Sequence, residues 1–165
     1  MALYTRIIVP LDGSKLAESA LPEAEQLAKL TGAELVLMRV VDYSARDTFG
    51  DFGLLYEYEA MAQALVEERE LATAYLADTA RRLQNEGYTV STTLVDGIAA
   101  KAIVAQAQPG DAIVMATHGR TGMKRWFIGS IAEDVLRHAT VPVLIVRAPV
   151  SDNHLAGQQA AAQSA

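Results

Sequence analysis

Cysteine is absent from this 165-residue sequence, which excludes disulfide bonds, thiolate catalysis and cysteine-ligated zinc. No apolar run approaches the roughly 18 residues that a membrane-spanning helix needs. Basic residues are also scarce: 14 Lys and Arg face 20 Asp and Glu, for a net charge of −6. The sequence therefore lacks the basic face that broad nucleic-acid binding requires. The N-terminus has no basic region followed by an apolar stretch, so no signal peptide is expected. Together these absences favour a cytoplasmic protein that binds neither membranes nor nucleic acids.

What is present is the composition of an ordinary soluble globular protein, with 51% hydrophobic and 21% charged residues. The length favours one domain with a substantial core, which we place at residues 1–148. Residues 149–165 consist mostly of small and polar residues and are predicted to form a disordered tail.

Hydrophobic patterning predicts an alternation of strands and helices. Apolar runs rich in β-branched residues predict five strands, at residues 6–11, 34–41, 89–95, 111–116 and 143–147. Apolar residues at helical spacing predict helices at residues 14–31, 54–86 and 98–106, and a last helix that starts at 129–130. Pro22 lies inside the first helical pattern, so that helix is either kinked or restarted from Ser19. This order predicts an α/β fold: a doubly wound, five-stranded parallel sheet of Rossmann-like type with helices on both faces.

Two further predictions concern the connections. The turn-rich segment 42–53 is predicted to be a loop that either gates a site or binds a partner. The last helix is predicted to bury a stripe formed by Ile131, Val135, Leu136 and Ala139.

The stretch from Met115 to Ser130 is the best candidate for a binding site. It joins a strand to a helix through a glycine-containing loop, and a helix start offers unpaired N–H groups to an anion. The loop is purely basic, with Arg120, Lys124 and Arg125, of which we expect one to contact a phosphate. Glycine and serine also occur at such junctions for turn and capping reasons alone. The carboxyl ends of parallel strands meet at one edge, however, which places Asp12 beside this loop.

Four segments resemble the universal stress protein family: I-I-V-P-L-D-G-S at 7–14, R-V-V-D at 39–42, A-T-H-G-R-T-G-M-K-R-W-F-I-G-S-I-A-E-D-V-L at 116–136, and V-P-V-L-I-V-R at 141–147. Nucleotide-binding members of that family carry Gly-x-x-Gly, nine residues, then Gly-Ser or Gly-Thr. Gly119, Gly129 and Ser130 match this pattern, and Ala116 replaces its first glycine. The resemblance covers about residues 3–148 and implies the adenine nucleotide alpha hydrolase-like variety of the fold.

The resemblance implies an ATP-binding regulatory switch in stress response. In that picture Asp12 faces the ribose or a phosphate-bound Mg²⁺, the Val40 backbone meets the adenine, and Gly119, Gly129 and Ser130 hold the phosphates. The full set of implied nucleotide-binding residues is Pro10, Leu11, Asp12, Val40, Met115, Ala116, His118, Gly119, Arg120, Thr121, Gly122, Gly129, Ser130, Ile131 and Ala132.

Other interpretations stay open from the residues alone. Asp12 can serve as a turn or cap residue, and Ser130 as a helix cap, with or without a ligand. Ala116 keeps open a dimeric interaction protein of the same fold that does not bind ATP or that takes another ligand, such as a cyclic nucleotide. A slow ATPase is a further alternative, although there is no G-x-x-x-x-G-K-[ST] and no catalytic residue is predicted. The absence of G-x-G-x-x-G after the first strand argues against a dinucleotide oxidoreductase.

The segment V-L-I-V-R, Val143 to Arg147, is too apolar to be left as an exposed sheet edge. We therefore expect a symmetric homodimer that pairs these strands, as members of the family commonly do.

Overall fold

The computed structural model describes residues 3–42, 55–117 and 129–148. Most of the predicted 42–53 loop and all of the predicted tail at 149–165 lie outside these residues. Five of the implied nucleotide-binding residues also lie outside them: His118, Gly119, Arg120, Thr121 and Gly122.

Strands and helices alternate along the described chain as predicted, with element ends that differ from the predictions by one or two residues. In order, the elements are β1 (Arg6–Pro10), α1 (Lys15–Glu18), α2 (Leu21–Thr31), β2 (Glu34–Val41), α3 (Leu55–Asn85), β3 (Val90–Asp96), α4 (Ala99–Gln106), β4 (Asp111–Thr117), α5 (Ser130–His138) and β5 (Val143–Arg147).

The five strands form one parallel sheet in the order β3-β2-β1-β4-β5. Its central strands are buried on both faces, because α2 and α3 pack on one side and α4 and α5 on the other. Alternate residues of β1 therefore enter different cores: Ile7 and Val9 pack with α2 and α3, and Ile8 packs with α4 and α5. The predicted doubly wound α/β fold is confirmed.

The first predicted helix is divided into α1 and α2 near Pro22. Of the two predicted alternatives, a kinked helix and a restarted one, the restarted helix is confirmed. Proline has no N–H to donate to the preceding turn, and Pro22 accordingly sits in the first turn of α2, where that donor is not needed. The restart does not use Ser19 as its cap, however. The Ser19 hydroxyl donates to the Leu16 carbonyl at 2.6 Å, which closes α1, and Ala20 occupies the cap position of α2.

Among the described side chains of the long helix α3, the buried ones lie in its second half. Its buried residues are Ala72, Leu76, Ala80 and Leu83, and none of residues 59–71 is buried. Arg69 pairs with Asp96 at the carboxyl end of β3. The part of α3 that precedes this pair, residues 55–68, is about 20 Å long at 1.5 Å per residue.

The stripe predicted for α5 is partly wrong. Val135 is buried as predicted, but Ile131 and Leu136 are 46% and 41% exposed, and Ala132 takes their place in the core. The apolar residues of α5 cover an arc wider than the part that touches the sheet, and only the middle of that arc, at Ala132 and Val135, is buried. Hydrophobicity alone does not identify the middle of a wide apolar arc.

Asp111 is a buried acid at the amino end of β4, and an arginine on the neighbouring strand neutralises it. Arg6 binds it through two hydrogen bonds, Nε to Oδ1 at 3.0 Å and Nη2 to Oδ2 at 2.5 Å. The Gln108 N–H also donates to Oδ2 at 2.8 Å. This pair joins β1 to β4 at the edge of the sheet opposite the predicted site, where it has a structural role. In the described segments, no helix combines the length and apolarity needed to cross a membrane.

Candidate functional site

The strands around β1 separate at the carboxyl edge of the sheet. Pairing between β1 and β4 stops at Ile8 with Ile113, although both strands continue. Pairing between β1 and β2 continues to Pro10 with Met38, and the Leu11 N–H then donates to the Met38 carbonyl at 2.7 Å. Helices leave β1 and β4 toward opposite faces of the sheet. This is the point in a doubly wound sheet where a ligand crevice forms.

A cavity of about 270 Å³ opens at this point. All ten implied nucleotide-binding residues that the structure describes lie along its wall: Pro10, Leu11, Asp12, Val40, Met115, Ala116, Gly129, Ser130, Ile131 and Ala132. The sequence places these residues in four separate segments, and the fold brings them together.

Seven wall residues were not identified from the sequence: Ser14, Leu16, Ala17, Met38, Ala99, Ile103 and Thr117. Two of them had a usable signal. Met38 is two residues from Val40 on the same strand and so faces the same side, and Thr117 ends the strand that carries Ala116. Helical periodicity indicates core positions for four others: Leu16, Ala17, Ala99 and Ile103. Apolar residues that line a cavity and those that fill a core have the same periodicity, so this pattern does not separate them.

Asp12 is a turn residue, one of the roles that the sequence left open, and it also lies at the predicted site. Its Oδ1 accepts a hydrogen bond from the Ser14 N–H at 2.8 Å, which forms the turn between β1 and α1, and Asp12 also lines the cavity. Partial burial raises the pKa of its carboxyl. The hydrogen bonds with Ser14 and the charge of Arg39 together lower this pKa by a larger amount, so the net pKa lies below the usual value. Asp12 is therefore negatively charged at neutral pH, and it is the single charged residue among the described residues of the wall.

The start of α5 forms the opposite wall. Gly129 is the N-cap, with a φ of +91°, and its carbonyl accepts the Glu133 N–H at 2.9 Å. The helix therefore begins where it was predicted to begin. Ser130 is its first helical residue, so the interpretation of Ser130 as the helix cap is wrong. The N–H groups of a first helical turn have no partners within the helix, and the residues that carry them here line the cavity.

Ala116 lies within β4, where it pairs with Val146 in regular strand register. No described residue other than glycine has a positive φ. The conformational freedom of glycine is thus not required at this position. Alanine adds one methyl group relative to glycine at a residue that lines the cavity, and it fits the regular strand backbone there.

The backbone of Val40 faces the side from which β1 has departed. Along a parallel strand, the N–H and C=O of one residue point to one neighbouring strand and those of the next residue to the other. Met38 accepts the last bond from β1 on this side, and Val41 accepts a bond from the Gly97 N–H on the other. The N–H and C=O of Val40 therefore point toward the cavity beyond the end of β1.

The described residues offer little for metal or histidine chemistry. They contain no cluster of three acidic, histidine or cysteine side chains that could hold a metal ion by itself. His138 lies in the last turn of α5, with Nδ1 3.1 Å from Asp134 Oδ1, so it belongs to the outer surface of that helix. Asp12 alone suits Mg²⁺ only if the ion arrives with phosphate oxygens that supply most of its ligands.

Comparison with known proteins gives a consistent result. The model of the universal stress protein family matches residues 3–147. Universal stress protein MJ0531 of Methanocaldococcus jannaschii is 34% identical over 149 residues, which cover 89% of this chain and 84% of that protein. Universal stress protein MJ0577 of the same organism is 31% identical over 155 residues, covering 88% of this chain and 96% of that protein.

Solved structures show the same fold. The structure of MJ0577 superimposes with a TM-score of 0.71 at 28% identity, covering 90% of this chain and 99% of that one. UspA from Lactobacillus plantarum gives a TM-score of 0.71 at 26% identity, covering 87% of this chain and 98% of that one. Because the family match spans the described fold and the strands that form the cavity, the chain belongs to the universal stress protein family.

Proposed function

We propose that this protein binds ATP in the cavity at the carboxyl edge of the sheet and acts as a cytoplasmic, nucleotide-dependent regulatory switch in stress response. One observation carries the proposal: the Val40 backbone, the Asp12 carboxylate and the N-terminus of α5 all lie along one cavity. They offer, respectively, a base-edge contact, a ribose or metal contact and a phosphate contact.

The adenine would lie at the apolar end of the cavity. Met38, Ile103 and Met115 supply apolar wall there, which suits the faces of a flat ring. The Val40 N–H can donate to ring N1 of adenine, and the Val40 C=O can accept from its amino group. Guanine has the opposite arrangement, a ring N–H and a carbonyl oxygen, so the same backbone groups disfavour it.

The phosphates would lie at the start of α5. The first-turn N–H groups of Ser130, Ile131 and Ala132, together with the Ser130 hydroxyl, can hold phosphate oxygens. The basic residues predicted to assist, including Arg120, lie outside the described residues. Asp12 would hold either the ribose hydroxyls or a Mg²⁺ that neutralises the phosphates.

Two fold neighbours were solved with adenine nucleotides. One is a universal stress protein in complex with cAMP, and the other is the universal stress protein from Archaeoglobus fulgidus in complex with dAMP. Each is 23% identical to this chain, so each shows a shared fold. The choice of ATP here rests on the phosphate motif at Gly129–Ser130 and on the helix start beside the cavity.

Thermal denaturation with a nucleotide panel tests this proposal. A ligand at 100 times its Kd stabilises the folded state by about 2.7 kcal/mol, which in a chain of this size raises Tm by about 5 °C or more. We expect that rise with ATP, a smaller one with AMP or cAMP, and none with GTP at equal concentration. Equal shifts with ATP and GTP would contradict the base contact, and unchanged Tm with every adenine nucleotide would refute the proposal.

We also propose that the chain forms a symmetric homodimer through β5. This strand is an edge of the sheet, and Leu144 at its centre is 43% exposed. Leu144 pairs with Val114, whose side chain enters the core covered by α2 and α3. A second copy of β5 would complete the hydrogen bonds of the edge and cover Leu144.

Leu144→Lys should convert the dimer to a monomer. A lysine on an edge strand opposes strand pairing through its charge and hydration, and Val143 and Ile145 are less suitable because they pack against the core. Leu30→Lys is the matched control, since Leu30 is 84% exposed on α2, away from β5. Light scattering gives the mass: we expect a monomer for Leu144→Lys and a dimer for Leu30→Lys. A wild-type monomer, or an unchanged Leu144→Lys dimer, would show that β5 is not the interface.

A further inference from the structure

Arg39 lies near the carboxyl end of β2, between two residues that line the cavity. Because side chains alternate along a strand, Met38 and Val40 face the cavity and Arg39 faces the other side of the sheet, where α3 packs. Its side chain is only 20% exposed. A charged group covered to this extent requires compensating groups around it.

The guanidinium of Arg39 lies between α3 and the turn that carries Asp12. A Cβ atom on Gly13 would be 2.9 Å from Arg39 Nη1, so the guanidinium rests directly against the backbone of that turn. On its other side, Arg39 Nη2 is 4.0 Å from Glu68 Oε1 of α3. The turn itself has a φ of +84° at Gly13 and no side chain there to anchor it.

A second contact from α3 reaches the same region. The Tyr75 hydroxyl donates to Glu18 Oε1 of α1 at 2.9 Å. Helix α3 therefore reaches the turn formed by Asp12, Gly13 and Ser14 in two ways. Its Glu68 lies near Arg39, whose guanidinium rests against Gly13. Its Tyr75 binds Glu18 of α1, the helix that follows the turn. The acidic groups that face this region are Asp12, Glu18 and Glu68, and Arg39 supplies the positive charge next to the turn.

We propose that Arg39 is a positioning residue for nucleotide binding: it holds the Asp12–Gly13 turn from the face opposite the cavity, so that the Asp12 carboxylate points at the ligand. Arg39 itself does not contact the nucleotide. This inference rests on the proposed function, because it assigns Arg39 a role at the same site.

A double-mutant cycle on ATP affinity separates this role from a general effect on stability. Calorimetric titration with ATP and Mg²⁺ is performed on the wild type, Arg39→Met, Asp12→Asn and the combined variant. Arg39→Met is expected to weaken binding about threefold to fivefold, the upper part of the range for a partly screened charge interaction. If Arg39 acts through Asp12, the same change in the Asp12→Asn background should cost less than about twofold. Arg81→Met, which removes an exposed arginine of α3, is the matched control and should bind ATP as the wild type does.

The outcomes are distinguishable. A wild type that does not bind ATP overturns the proposed function, and this inference with it. A wild type that binds ATP while Arg39→Met binds equally well overturns the inference alone. Equal losses in both backgrounds also overturn it, because a change that acts through stability alone would not depend on Asp12.

Discussion

Gly129→Val should abolish ATP binding, with a loss of about 100-fold or more, and leave the fold in place. Gly129 has a φ of +91°, a conformation that L residues rarely adopt and β-branched residues least of all. Valine would force the N-cap into another conformation, which redirects the N–H groups that we assign to the phosphates. A loss of 100-fold corresponds to about 2.7 kcal/mol, within reach of backbone strain combined with a displaced anion site. Calorimetric titration measures the affinity.

Gly32→Val is the matched control for this prediction. Gly32 ends α2 with a φ of +72°, and among the described residues a Cβ there, as at Gly129, would meet no atom within 4 Å. Both substitutions therefore impose backbone strain without a clash against the described part of the chain, but Gly32 is remote from the cavity wall. Gly32→Val should lower Tm and leave ATP affinity unchanged. If Gly129→Val binds ATP as the wild type does, the N-terminus of α5 is not the phosphate site.

Asp111→Ala should destabilise the fold by about 3 kcal/mol, which is within the range for breaking a buried ion pair. The change removes the partner of Arg6 and also leaves the Gln108 N–H without its acceptor. Urea denaturation measures the free energy of unfolding. Asp78→Ala, which breaks the exposed Asp78–Arg81 pair, is the control and should cost less than about 0.5 kcal/mol. An equal cost for the two changes would show that burial of Asp111 adds nothing.

The same pair should make stability depend on pH at the acid end. Burial raises the pKa of Asp111, but the hydrogen bonds from Arg6 and Gln108 and the charge of Arg6 lower it, and the net shift is downward. A carboxyl whose folded pKa is depressed contributes stability above its ordinary value of 3.8, and this contribution is lost as pH falls through the folded value. Asp111→Ala should therefore lose stability less steeply than the wild type below about pH 4. Parallel acid limbs would contradict this assignment.

The fold could be predicted because the strand patterns and the helix-end signals of the sequence agree with each other. Continuous apolar runs such as residues 34–41 indicate strands buried on both faces, and Gly32 marks a helix end by its left-handed conformation. The parallel order then places every strand's carboxyl end at one edge, so the sequence alone assigns Asp12 and Gly129 to one site. These rules therefore bring Asp12 and the start of α5 to the same place.

The remainder depends on packing that spacing does not encode. The sequence allows Ser130 as the helix cap, but in the structure the cap is Gly129. The cap position has a positive φ, which glycine adopts more easily than any other residue. Leu16 and Ile103 have core periodicity, and only the separation of β1 from β4 turns them into cavity wall. Arg39 sits in a strand pattern without any sign that its guanidinium rests against Gly13, a residue 26 positions earlier in the chain.

Titration of the purified protein with ATP and Mg²⁺ by calorimetry tests the central claim most directly. We expect saturable binding of one ATP per chain with a Kd in the micromolar range, about −8 kcal/mol, and no comparable signal with GTP. A folded protein that shows no saturable heat up to about 1 mM ATP, a limit of about −4 kcal/mol, would contradict the claim. The chain would then be a member of the family that uses this fold without ATP.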